Sequence, residues 1–410
     1  MAHNNFFNYS KAAKIINYFG LILLFIMICM SPHKLIYDES HHIAIAKSIE
    51  SIGLINTLTN PPTISALGPL YSFIQLSLID FTSLNAPWVR FINFSLFLFI
   101  IVLLILISKK LKLNSPELTA LCIMAVPFLY PTVGMALTEI PALLFFTLFC
   151  FFFIELMARL PTSPPLSLVS WAILAGLSLG VACLGRQTYL CALFAVGIIW
   201  KWDHKNLLAL FTVFISASAA CCWLFWIWGG LTPPGLHIGG ISIKHGILSF
   251  AYLGFATFFI CPEWFKIDRL IIKLLIIIFI IMLLFSFSFN YEPATTLAKT
   301  IIPNKLFYFY KYIFDALFIT FAMIWIYSLY SNIYFVWDRK EMVFLYSIIF
   351  ILSLTPIAVS IQFSSRYVVT IITLLVLILN SKMQIGLLSL VRFTFGIMLG
   401  LASLATYYFK

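Results

Sequence analysis

The sequence predicts an all-α, polytopic transmembrane helical protein. Hydrophobic residues make up 62% of the 410 and charged residues only 10%, where a soluble chain carries about 25% charged residues. Mean hydropathy is +1.06. Apolar runs long enough to cross ~30 Å of hydrocarbon recur along the whole length. Helices follow from this, because unpaired backbone groups cannot face lipid.

In chain order, residues 1–17 are polar and basic and are expected in the cytoplasm. Lys11 and Lys14 precede an apolar segment with no small-residue cleavage site after it, so this segment reads as a retained first helix over about 18–34. Residues 35–89 form a long loop on the other side. Within it, 39–53 has a helical stripe of Ile45, Ala46, Ile49 and Ile52, with Asp38, His41 and His42 together on another face. Such a helix suits the membrane surface. Asn60-Pro61-Pro62-Thr63 ends it. Residues 64–80 are apolar but short and carry Gly68-Pro69, so they read as a second interfacial or half-inserted helix.

Arg90 opens a helix over about 90–108 that ends in Lys109-Lys110-Leu111-Lys112, a cluster belonging in the cytoplasm. Further crossings are expected over about 117–131, 140–158, 168–185, 188–200, 207–228, 247–261, 270–288 and 306–331. Three more end near Arg366, near Lys382 and at Lys410. That makes about 13 crossings in one integral-membrane domain, residues 90–410 holding all but the first. The N-terminus is inside and the C-terminus outside. Most lysines and arginines fall in the inside loops. No repeat relates the two halves.

The net charge of +11 therefore orients the chain and does not signal nucleic acid. Most of the eight cysteines (Cys29, Cys122, Cys150, Cys191, Cys221 and Cys222 among them) lie in apolar runs without CxxC or His/Cys metal spacing, and read as small packing residues.

Chemistry points to the stretch Tyr37-Asp38-Glu39-Ser40-His41-His42, just past the first crossing. Asp38 and Glu39 are two of only 14 acidic residues. A carboxylate here suits a general base for a hydroxyl group, with Asp38 favoured over Glu39; the bland alternative is a solvated loop. Glu139, at the outer end of the helix after it, is either a second acidic group at the same cavity or an acidic residue favoured by the helix dipole. Arg90, Arg186 and Arg366 all fall at outer helix mouths. Singly they read as snorkelling anchors; together they suit a phosphate site, since arginine binds phosphate oxygens in bidentate fashion. The glycine-rich loop 229–246 adds His237, Lys244 and His245. His41 and His42 beside Asp38 make a divalent metal conceivable, but adjacent histidines seldom point the same way, and no cofactor is required.

These residues, in this order, resemble the GT-C type integral-membrane glycosyltransferases, which use polyprenyl-phosphate sugars. The resemblance covers most of residues 18–380 and rests on Asp38-Glu39, Arg90, Glu139 and Arg366-Tyr367. The nearest pattern is that of the dolichyl-phosphate-glucose α-1,2-glucosyltransferases, to which His42 near the acidic pair, Pro61-Pro62, Arg90-Phe91-Ile92-Asn93, Arg186-Gln187-Thr188, Gly235-Leu236-His237 and Arg366-Tyr367 are similar. Glu139 stands where an aspartate is more usual, and that family's long later loops have no clear counterpart. The resemblance implies an inverting transfer from a polyprenyl-phosphate donor to a lipid-linked or cell-envelope glycan acceptor, outside the cytoplasm. Asp38, Glu39 and Glu139 would be catalytic, and His42, Arg90, Arg186, Gln187, His237, Lys244, Arg366 and Tyr367 would bind substrate. The Ile/Phe/Lys/Asn-rich composition suits a bacterial inner membrane; in a eukaryote the place would be the endoplasmic reticulum. The rival function is a transporter or flippase of a lipid-linked sugar. Against it, no repeated halves are visible and the acidic residues lie at the surface, not mid-membrane.

Overall fold

The computed structural model describes residues 2–60, 67–233, 240–284, 295, 298–299, 302–359 and 363–409. Its regular elements are helices. Among the described residues, nine are long and apolar enough to cross a membrane: Tyr9–Cys29, Trp88–Lys110, Glu139–Arg159, Pro165–Gly185, His204–Trp228, Ile243–Ile260, Asn304–Phe335, Lys340–Ala358 and Leu387–Tyr408. Four further apolar helices are shorter: Pro116–Ala125, Gln187–Ile199, Ile271–Ile281 and Ile372–Lys382. At 1.5 Å per residue Pro116–Ala125, Gln187–Ile199 and Ile372–Lys382 fall short of ~30 Å; Ile271–Ile281 is part of Arg269–Leu284, after which the chain passes outside the described residues. The expected crossings thus separate into full-length helices and shorter pieces.

Local chemistry explains the differences. The first helix runs Ala2–Cys29, not 18–34, so the polar segment before residue 18 is itself helical. The expected helix over 117–131 is broken. Pro116–Leu121 passes into a 3-10 turn over Cys122–Ala125, Val126 turns extended (φ −90°, ψ 109°), and Leu129–Gly134 resumes. Pro127 causes this, since the residue before a proline is pushed out of the α region and the proline has no N–H to give. The expected helix over 188–200 likewise consists of 3-10 turns around Leu193–Val196. The helix expected over 39–53 is present as Glu39–Ile52. The 64–80 segment, within its described part, holds the eight-residue helix Leu70–Ser77, too short to span.

Close packing comes from small residues, as usual between membrane helices. A Cβ added at Gly176 or Gly180 would meet the backbone or side chains of Val213, Ser216, Ala217 and Ala220, so Pro165–Gly185 and His204–Trp228 lie backbone to backbone. Gly396 and Gly400, again four apart, receive Ala125 O and the Tyr130 ring of the broken segment. Tyr130 donates to Met124 O at 2.9 Å, and Tyr408 donates to Gly134 O. The last helix thereby fixes the segment that leads into Glu139.

Candidate active site

The site assembles where loop 30–38, the 135–138 turn, the start of Glu139–Arg159, the break after Gly185 and residues 363–367 meet. Tyr37 takes the left-handed conformation (φ 50°), uncommon for a non-glycine residue. It turns the chain immediately before Asp38. Asp38 stands at the N-cap position of Glu39–Ile52 but makes no side-chain capping bond. Its Oδ2 instead accepts from Arg366 Nη2 at 2.7 Å, with both side chains partly exposed. The Arg366 guanidinium also lies 5.8 Å from the centre of the Tyr37 ring.

Glu139 is fully buried at the mouth of its helix. Its Oε1 accepts from Arg186 Nη2, and Arg366 Nε stands 3.6 Å from the same oxygen. Arg366 therefore bridges two carboxylates, and Glu139 is shared by two arginines. Three buried polar atoms in this group lack partners: Glu139 Oε2, Arg186 Nε and His42 Nε2. Unpaired buried polar atoms are costly, so these three call for polar partners, water or ligand, from outside the chain. His42 packs against the Tyr71 ring at 5.7 Å. Burial lowers its pKa to about 4, against a partly opposing pull from Glu139, so the imidazole is neutral near pH 7.

Glu39 and Arg90, expected from the sequence to act on substrate, are bonded to each other instead of to Asp38, Glu139, Arg186 or Arg366. Both are fully buried and pair bidentately: Arg90 Nε to Glu39 Oε1 at 2.8 Å and Nη2 to Oε2 at 2.7 Å. Glu39 also accepts from the amides of Ile36 and Ala136, each at 2.8 Å. Arg90 also donates to Ser31 Oγ, Pro32 O and Lys34 O at 2.7, 2.6 and 2.9 Å. With five guanidinium donors and four carboxylate lone-pair positions occupied, neither group is free for substrate.

His41 is exposed whereas His42 is buried, so the two do not share a face; successive helix positions diverge by about 100°. The buried side of Glu39–Ile52 is Glu39, His42, Ile43 and Ala46, and Ile52 is exposed. Gln187 opens the 3-10 turn after Arg186. Tyr367 packs edge-on against Phe363, whose ring also lies 5.9 Å from that of His245. His245 Nδ1 contacts Val359 O at 2.5 Å. Lys244 lies in the first turn of Ile243–Ile260 and not in an open loop. Pro61-Pro62 and Gly235-Leu236-His237 lie outside the described residues.

Asn93 was not singled out from the sequence for a role of its own. Its Nδ2 donates to Met135 O and Leu137 O at 2.8 and 2.7 Å. The available signal was its spacing: it lies three residues after Arg90, hence on the same helix face. Among the described residues no group of three or more His, Cys, Asp or Glu is arranged to hold a metal ion, and the eight cysteines are unbridged.

No protein-family model matches the chain, and no curated protein does. Two solved structures are similar to it, both of ArnT from Cupriavidus metallidurans. One is bound to undecaprenyl phosphate, at 13% identity and a TM-score of 0.47. The other is in the apo state, at 13% identity and a TM-score of 0.48. Each alignment covers 96% of this chain and 77% of the ArnT chain.

Proposed function

We propose that the chain is an inverting membrane glycosyltransferase that moves a sugar from a polyprenyl-phosphate donor to a lipid-linked or cell-envelope glycan acceptor. The observation that carries this reading is the partly exposed Asp38 carboxylate held on Arg366, beside a buried Glu139 shared by Arg366 and Arg186. A base and two cations thus stand side by side, as transfer from a phosphate-linked sugar requires.

The donor phosphate takes Arg366 and Arg186 in exchange for carboxylate oxygens. Asp38, released from Arg366, accepts the proton of the acceptor hydroxyl. That oxygen forms the new bond to the anomeric carbon while the bond from that carbon to the phosphate oxygen breaks. The electron pair leaves with the lipid phosphate, whose growing charge the arginines stabilise in a partly dry site. One displacement inverts the anomeric carbon. Neutral His42 and the free oxygen of Glu139 orient sugar hydroxyls. The active face is the non-cytoplasmic one. In support, helices Trp88–Lys110 and Glu139–Arg159 run from the site to basic ends at Lys109, Lys110 and Arg159.

The test is transfer by the purified protein from a panel of polyprenyl-phosphate sugars, with Asp38→Asn alongside. Transfer by the native chain and its loss in the variant support the reading. Near-normal turnover of Asp38→Asn overturns the base. Absence of transfer from every donor, with lipid-linked sugar still carried across vesicles, establishes a flippase instead.

A further inference from the structure

We propose that one turn of helix Trp88–Lys110, carrying Arg90 and Asn93, positions Asp38 and Glu139 relative to each other, so that both residues act on the reaction without touching substrate. The inference rests on the glycosyltransferase reading above. Arg90 binds Ser31, Pro32, Lys34 and Glu39, which fixes the loop ending in Asp38. Glu39 passes the hold on through Ile36 N and Ala136 N. Asn93 takes the carbonyls of Met135 and Leu137.

Three consecutive residues, 135 to 137, are thus tied to the same helix turn, two residues before Glu139. The two carboxylates belong to segments far apart in sequence, yet each segment is bound by two or more hydrogen bonds to Arg90, Glu39 or Asn93. Arg366 spans the result, 2.7 Å from Asp38 and 3.6 Å from Glu139. A change in the separation would break one of these contacts. The hold is stiff because Glu39, Arg90 and Asn93 are all fully buried.

The experiment uses the full chain in detergent or nanodiscs, with Asn93→Leu and Glu39→Asp. Asn93→Leu removes two donors and no charge. Glu39→Asp keeps the charge and shortens the reach to Ala136. Amide hydrogen exchange at Ile36 and Ala136 reports the hold without reference to transfer, and thermal melting reports the fold. The expected result is faster exchange at Ala136 and retained melting. With it, kcat should fall on the order of 100-fold while the donor KM moves by less than about threefold, since misplacing reacting groups by about 1 Å costs that much.

A folded variant with a loosened Ala136 amide and kcat within about threefold of native overturns the positioning role alone, because a purely structural contact would not enter the rate. An unprotected Ala136 amide in the native chain overturns it as well. Absence of transfer by the native chain, with both amides protected, overturns the glycosyltransferase reading and takes the positioning role with it. Should Glu39→Asp fail to fold, Asn93→Leu decides the matter.

Discussion

Asp38→Asn is expected to lower transfer by about 100-fold or more, the usual worth of a positioned proton acceptor. Its melting temperature should change little, because the residue is partly exposed. Glu39→Ala should behave in the opposite manner. It strands a fully buried Arg90, and breaking a buried pair costs about 3–5 kcal/mol, so denaturant melting should show a large loss of stability. His42 gives a pH signature. Its pKa is near 4 in the folded protein and about 6.5 in an unfolded chain. Unfolded chains therefore bind the extra proton between those values. Its contribution is complete above about pH 6.5 and is lost as pH falls toward 4. Melting of the native chain against His42→Gln over that range checks the sign: the native chain should lose more stability on acidification. The adjacent acidic pair was legible in the sequence. The sequence also favoured Asp38 over Glu39, but it did not show the pairing of Glu39 with Arg90 and the Ala136 amide, because those contacts are made across long stretches of chain.

At the scale of elements, helices were legible wherever an apolar run was long, and their interruptions were less so. Apolar composition is the same in a continuous helix and in one broken at Pro127, so the break over 122–128 shows only through the proline. The seating of that broken piece depends on Gly396 and Gly400, two of many glycines in the chain. Gly396→Leu is expected to push Ala125 away. Overpacking costs typically 1–3 kcal/mol, and because the same piece leads to Glu139, activity should fall along with melting temperature. Gly180→Leu, between Pro165–Gly185 and His204–Trp228, should cost comparable stability. Its effect on activity should run through Arg186, which directly follows the first of these helices. Both are read by melting and by transfer on the same preparation.

For the whole molecule, topology is the testable property. Cysteine placed at exposed His41 should react with a membrane-impermeant thiol reagent added outside, and cysteine placed at Lys112 should react only after the membrane is opened. The reverse pattern would invert the chain in the bilayer. The expected sidedness follows from the basic ends of Trp88–Lys110 and Glu139–Arg159.

The ion-paired state of Arg366 and Arg186 also sets a ranking among lipids. On the proposed reading a ligand would have to displace the Asp38 and Glu139 carboxylates, so singly charged phosphodiesters, which would include both the common anionic bilayer lipids and the proposed sugar donor, would gain little from charge alone. Such a donor would have to be selected by its sugar and its chain. The spent lipid is different. A phosphate monoester carries about −1.5 to −2 at neutral pH, so on this reading it competes for the arginines better than the donor does. Turnover would then be paced by departure of the spent carrier, and added polyprenyl phosphate should inhibit competitively against the donor, more strongly above pH 6 than below it.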